Sequence, residues 1–228
     1  MINKKNQGFS NEWEKLYKKK IHSPIWPWSD LVSYINIYCK KTLNFKKVLE
    51  IGCGSGANIP FFQKRGHYFY GIDGSKEIIK KLKIRYPKLK NNLVASDFTK
   101  EIKFDKIFDV VVDRGSSIHN TSINIDKCIK LLVKKLRKNG VYIGVDLFAS
   151  DHTASKLGKY VDKFTRENIN TNQFKGAGKV HFFTKQGLIQ LFTSNGFEIL
   201  TLEHIKKKIL IGKEKINNCT FNIVAKKL

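Results

Sequence analysis

Three glycines and three carboxylates are spaced in this chain as a ligand cradle would need. Gly52, Gly54 and Gly56 follow an apolar run at 48–51 and precede a helical pattern at 57–64. Glycine tolerates the left-handed backbone of a tight turn and, lacking a Cβ, lets a ligand approach the main chain. Gly52, Gly54 and Ala57 by themselves also satisfy the dinucleotide-binding fingerprint. The carboxylates separate the possibilities. Glu50 stands just before the glycines, where its charge would oppose a pyrophosphate but suit a ligand with an ammonium group. Asp73 ends the next apolar run about twenty residues on, where an acid binds ribose hydroxyls. Asp97-Phe98 follows the third run. An acid there can accept from an adenine amino group, and the aromatic ring can stack on the base.

These side chains meet only if strands end side by side. Apolar runs at 48–51, 68–72, 93–95, 108–112 and 141–145 predict strands, alternating with helices over 57–64, 75–85 and 124–138. Asn139-Gly140 would stop the last of these helices. Such alternation predicts a parallel sheet buried on both faces, with ligands at the carboxyl ends of its strands. A helix over 184–194, closed by Asn195-Gly196, precedes strand-like segments at 197–205 and 218–225. With no helix between them these two must pair as a hairpin, adding an antiparallel strand near one edge of a mixed sheet. Residues 1–45 predict two short helices around Pro24 and Pro27, carrying all three tryptophans, Trp13, Trp26 and Trp28. This segment suits a cap on the sheet, a lid over the ligand, or both. The main domain is expected over 46–228, with a lid-like insertion at 151–183 and a hinge at Gly176-Ala177-Gly178.

Composition narrows the classes. The chain has 228 residues, and 43 Lys and Arg against 19 Asp and Glu give +24. Such charge attracts anions in general, nucleic acid among them. Only five of the 43 are Arg, the residue preferred for bidentate phosphate and base contacts, so nucleic acid is the less favoured partner. Cys39, Cys53, Cys128 and Cys219 are scattered without CxxC or Cys/His spacing. A disulfide scaffold and a structural zinc are not expected, and a reducing, cytoplasmic setting is. No apolar run approaches about eighteen residues, so no transmembrane helix is expected.

Glu50-x-Gly52-x-Gly54-x-Gly56, Gly71-Ile72-Asp73, Ala95-Ser96-Asp97-Phe98, Asp109-Val110-Val111-Val112-Asp113 and Leu136-Arg137-Lys138-Asn139-Gly140-Val141 resemble the class I S-adenosylmethionine-dependent methyltransferases over residues 46–228. The resemblance implies a Rossmann-like, seven-stranded mixed sheet with an antiparallel last strand and helices on both faces. It implies S-adenosylmethionine as cofactor, with Gly52, Cys53, Gly54 and Gly56 turning under its methionine part and Glu50 beneath. It further implies Asp73 on the ribose, Asp97 and Phe98 at the adenine, and Asp113 near the methyl group. The segments 113–120, 145–150 and 180–183, with Trp13-Glu14-x-x-Tyr17, are similar to small bacterial members, some associated with surface-polysaccharide gene clusters.

Methyl transfer asks the enzyme mainly to align the acceptor, and asks for a base only if the acceptor is protonated. His119 and His181 are the candidate bases, and Arg114 would bind an anionic acceptor or pair with an acid. The segment 113–120 lacks the Asn/Asp-Pro-Pro-aromatic tetrad of adenine amino-methylating enzymes, and no Pro-Cys nucleophile for cytosine is present. Asp146, His152 and His181 lack a recognisable acid set for a metal, and none is expected. The expected function is methyl transfer to an oxygen or nitrogen of a small-molecule or sugar-linked acceptor, such as a glycan precursor. RNA methylation, motivated by the charge, is the alternative.

Overall fold

A computed structural model of the chain describes residues 8, 11–19, 24–39, 45–171, 173–211 and 217–228. Five strands come first: β1 Lys47–Ile51, β2 Tyr68–Asp73, β3 Leu93–Ala95, β4 Phe108–Arg114 and β5 Leu136–Phe148. Three short ones, β6 Lys159–Tyr160, β7 Thr165–Glu167 and β8 Val180–His181, form a small antiparallel sheet of their own. The chain closes on β9 Phe197–Lys208 and β10 Asn217–Lys227. The main sheet has seven strands in the order β3-β2-β1-β4-β5-β10-β9. β3, β2, β1, β4 and β5 pair in parallel, and β10 runs antiparallel to both β5 and β9. The seven-stranded mixed sheet is as expected, with one refinement. The antiparallel strand is inserted second from the edge, and β9, carrying Lys206, Lys207 and Lys208, forms the edge itself. Lysines on an edge discourage pairing with another chain.

Helices cover both faces. On one, α2 (Ser29–Tyr38), α3 (Ile59–Lys64) and α4 (Lys76–Arg85) press Leu31, Ile35, Phe62 and Leu82 onto Val48, Phe69, Val110 and Ile143. On the other, α5 (Ser122–Lys135) and α6 (Lys185–Thr193) press Ile129, Leu132, Leu188 and Phe192 onto Leu49, Val111, Tyr142 and Phe221. Local sequence sets the helix starts. The hydroxyls of Ser75, Thr121 and Thr184 accept from the backbone N–H three residues on, at Ile78, Asn124 and Gly187. Of the N-terminal segment, α2 belongs to a core layer, whereas α1 (Asn11–Lys18) lies against α4.

One expectation gives way. The helix expected to reach residue 138 stops at Lys135, and β5 starts at Leu136. Leu136 is buried and pairs with Phe108, so a core contact outweighs helix propensity, and Asn139 (φ 60°) turns within the strand instead of ending a helix. The stretch 151–183 is not structureless. Besides the small sheet it holds its own core of Ala154, Ile169, Phe174, Val180 and Phe182. No described helix is long and apolar enough to cross a membrane, and all four cysteines are buried free thiols.

Candidate active site

The carboxyl ends of β1 to β5 open into a cavity of about 480 Å³, walled on its other sides by residues of α1, 24–28 and 173–177. β1 sits between β2 and β4 with Glu50 level with Gly71 and Val112, so the glycine turn leaves from the middle of the sheet. Gly52 (φ 61°), Gly54 (φ 50°) and Gly56 (φ 76°) all take the left-handed region that side chains resist. A Cβ at Gly52 would collide with Ser116, and one at Gly54 would lie 3.0 Å from the Tyr17 hydroxyl. Cys53 is buried under the turn, its N–H donating to the Ile72 carbonyl at 3.0 Å, and Gly71 leaves room for its sulfur.

Glu50 is 3% exposed, and only one of its oxygens is paired: Oε1 accepts from Asn58 Nδ2 at 2.7 Å, while Oε2 is a buried acceptor without a partner among the described residues. Burial pushes its carboxyl up to about 8. Asp73 holds the turn from β2. Its two oxygens accept from the Gly54 and Ser75 N–H groups, each at 2.9 Å, yet burial still lifts it to about 6. Asp97 accepts from the Thr99 N–H at 3.0 Å and from its hydroxyl at 2.6 Å, and Gly8 lies against its carboxylate. Phe98 beside it is buried and lines the cavity.

The two candidate bases, His119 and His181, and Asp113, expected near the methyl group, part company. His119 lines the cavity, its ring edge-on to Trp13 at 4.7 Å. Its Nδ1 lies 3.0 Å from the Lys179 carbonyl oxygen. A carbonyl only accepts, so Nδ1 donates, and the neutral ring carries its lone pair on Nε2. Asp113 and His181 do not line the cavity. Asp113 is fully buried behind it, accepting from the Ser116 N–H (2.7 Å), the Ser117 N–H (3.1 Å) and the Tyr142 hydroxyl (2.8 Å). It shapes the turn that presents Ser116. His181 is on β8, paired through Nδ1 with the Thr165 hydroxyl at 3.0 Å and packed on Phe183. Burial drags it down to about 4, so it is a neutral core histidine.

Several lining residues escaped sequence reasoning because they come from remote elements: Asn218 and Thr220 on β10, Phe174 and Ala177 in the insertion. Asp146 gives one signal, since β5 holds it at φ 56°, a costly conformation for a side-chain-bearing residue. Asp146, His152 and His181 do not gather. His152 Nδ1 instead accepts from the Ala154 N–H at 2.9 Å. Among the described residues, the one group close enough for a metal is Asp151, His204 and Cys219 at the sheet edge. There Lys206 Nζ already pairs with Asp151 at 2.8 Å.

This strand order, with a glycine turn leaving its centre and acids at successive strand ends, defines the class I methyltransferase fold. The chain belongs to the methyltransferase-domain family, whose model matches residues 27–202. It is 30% identical over 183 residues to O-methyltransferase 3 of Dictyostelium discoideum, covering 75% of this chain and 40% of that protein. In structure it is similar to an S-adenosylmethionine-dependent methyltransferase of Methanosarcina mazei, with TM-score 0.64, 20% identity and coverage of 83% of this chain and 97% of that one. It is also similar to the 1,6-didemethyltoxoflavin-N1-methyltransferase of Burkholderia thailandensis, solved with its acceptor and S-adenosylhomocysteine. That match has TM-score 0.58, 18% identity and coverage of 87% and 86%. The family is thus that of a methyltransferase domain, and S-adenosylmethionine is the cofactor that the resemblance of the chain's motifs implies. Its residues fit that cofactor: the unpaired Oε2 of Glu50 suits an ammonium group, and Gly52, Cys53 and Gly54 line the cavity at the turn where a ligand can approach the main chain.

Proposed function

We propose that this enzyme methylates an oxygen or nitrogen of a small-molecule or sugar-linked acceptor, with His119 as the base. The observation that carries this reading is the His119–Lys179 contact, which orients the neutral ring with its lone pair on Nε2 at the cavity wall. A cavity of about 480 Å³ falls in the range of small-molecule sites, roughly 300–1,000 Å³. When bound, S-adenosylmethionine supplies a methyl group made electrophilic by its sulfonium. Glu50 would receive its ammonium group, Asp73 its ribose, and Asp97 with Phe98 its adenine. His119 would take the proton of an acceptor hydroxyl or amine, and Trp13 would hold the imidazole edge-on. Trp13, Tyr17 and Trp28, from the N-terminal segment, would exclude water from the glycine turn and the reacting atoms.

The test is His119→Ala. A general base contributes roughly 10²–10⁴-fold, so turnover on a small-molecule acceptor should fall by about that factor while S-adenosylhomocysteine affinity holds. Normal turnover would remove His119 from this role. Methyl acceptance by RNA alone, with a steep salt dependence, would favour the charge-based alternative.

A further inference from the structure

Arg114 and Lys175 are the cations that line the cavity without a role above, and Arg114 is the more buried of the two. It ends β4, beside Val145 and next to Asp146 on β5. Its guanidinium lies over the Trp28 ring, 4.0 Å from the centroid. That contact uses the face of the group and leaves the donors on its edge. Among the described residues it makes no hydrogen bond and no ion pair within 4 Å. Glu50, Asp146 and Tyr17 act on it only through space. Burial raises Glu50 to about 8, so near neutral pH in the free protein this acid compensates the guanidinium weakly. A half-buried cation with unused donors is completed by an anion.

Two anions could complete it: the carboxylate of the cofactor's methionine part, or the acceptor itself. Position favours the acceptor. Asp73 and Asp97 lie on the β2–β3 side of the cavity, whereas Arg114 stands on the β4–β5 side with Asp146 and Phe148. Aromatic rings gather on that side too. Phe148 and Phe174 pack with centroids 4.9 Å apart, and both line the cavity with Trp13 and Trp28. Flat walls and a cation with free in-plane donors select a flat ring with an acidic substituent.

We propose that Arg114 binds the ionised hydroxyl of a flat aromatic or heteroaromatic acceptor. This rests on the small-molecule methyl-transfer reading and names its substrate class. The probe is 4-nitrophenol, whose anion has its own absorbance band, titrated against the enzyme–S-adenosylhomocysteine complex. The bound phenol should ionise at least about one pH unit lower than in water, a tenfold change in its ionisation constant. Arg114→Gln should abolish that shift with Tm and S-adenosylhomocysteine affinity unchanged, and Arg114→Lys should restore part of it. Lost S-adenosylhomocysteine affinity at unchanged Tm would overturn the proposal by giving Arg114 to the cofactor's carboxylate. Binding of the phenol without a shift would overturn it too. Methylation of nucleotide sugars with no affinity for the phenol would overturn the acceptor class yet leave small-molecule methyl transfer standing. Undiminished turnover in His119→Ala would strike the base and leave the role of Arg114 intact.

Discussion

Gly54 and Glu50 define what single residues do in this site. At φ 50°, with the Tyr17 hydroxyl 3.0 Å from the place of a Cβ, Gly54 has no room for a branched side chain. Gly54→Val is therefore expected to abolish S-adenosylhomocysteine binding in a calorimetric titration, and undiminished affinity would contradict the site. Glu50 holds its proton up to about pH 8 in the free protein. An arriving ammonium group stabilises the carboxylate, so binding at pH 7 is expected to release close to one proton per site. Calorimetry in buffers of different ionisation enthalpy measures that release. Glu50→Gln keeps an acceptor for Asn58, should bind the cofactor weakly, and should release no proton. Both residues were legible in the sequence, because spacing around the glycines points to them. Asp113 and His181 were not, since a motif position says nothing about whether a carboxylate faces the ligand or holds a turn. Here the N–H groups of Ser116 and Ser117 claim Asp113, and the Thr165 hydroxyl claims His181.

At the scale of elements, alternation of apolar runs and turn residues predicted the strands and most of the helices. The misplaced boundary lies at Leu136, where burial against Phe108 draws into the sheet residues that local preference would leave in a helix. The small sheet β6-β7-β8 was hidden for another reason: strands of two or three residues are too short to show an apolar period. Caps act locally and can be tested locally. The Thr184 hydroxyl accepts from the Gly187 N–H at 3.0 Å at the start of α6, and neither residue lines the cavity. Thr184→Ala should cost about 1 kcal/mol of unfolding free energy in a denaturant titration and leave S-adenosylhomocysteine affinity unchanged. A change in affinity would mean that α6 is coupled to the cofactor site.

For the whole molecule, the buried acids tie stability to pH. Glu50 at about 8 and Asp73 at about 6 both hold protons more tightly folded than unfolded, where they titrate near 4.5 and 3.8. The stability they permit is present at low pH and is lost as pH rises through those windows, 4.5 to 8 for Glu50 and 3.8 to 6 for Asp73. The free enzyme should therefore lose unfolding free energy between pH 4.5 and 8, and Glu50→Gln should lose less. An equal loss in both proteins, followed by denaturant titration at several pH values, would show that Glu50 ionises freely in the folded state. Bound cofactor acts the other way, adding about 2.7 kcal/mol when present at about 100 times its Kd.

Local chemistry is written along the chain, and so the sequence by itself determined the alternating sheet, the terminal hairpin, the glycine turn and the acids Glu50, Asp73 and Asp97. Each depends on residues that are neighbours, or on strands whose ends a parallel sheet must align. Tertiary structure alone decided which histidine faces the cavity, which acid is consumed by a turn, and that Trp28 lies against Arg114. Those outcomes depend on contacts between segments far apart in the chain. Burial and competing hydrogen bonds fix them, and no residue spacing records either.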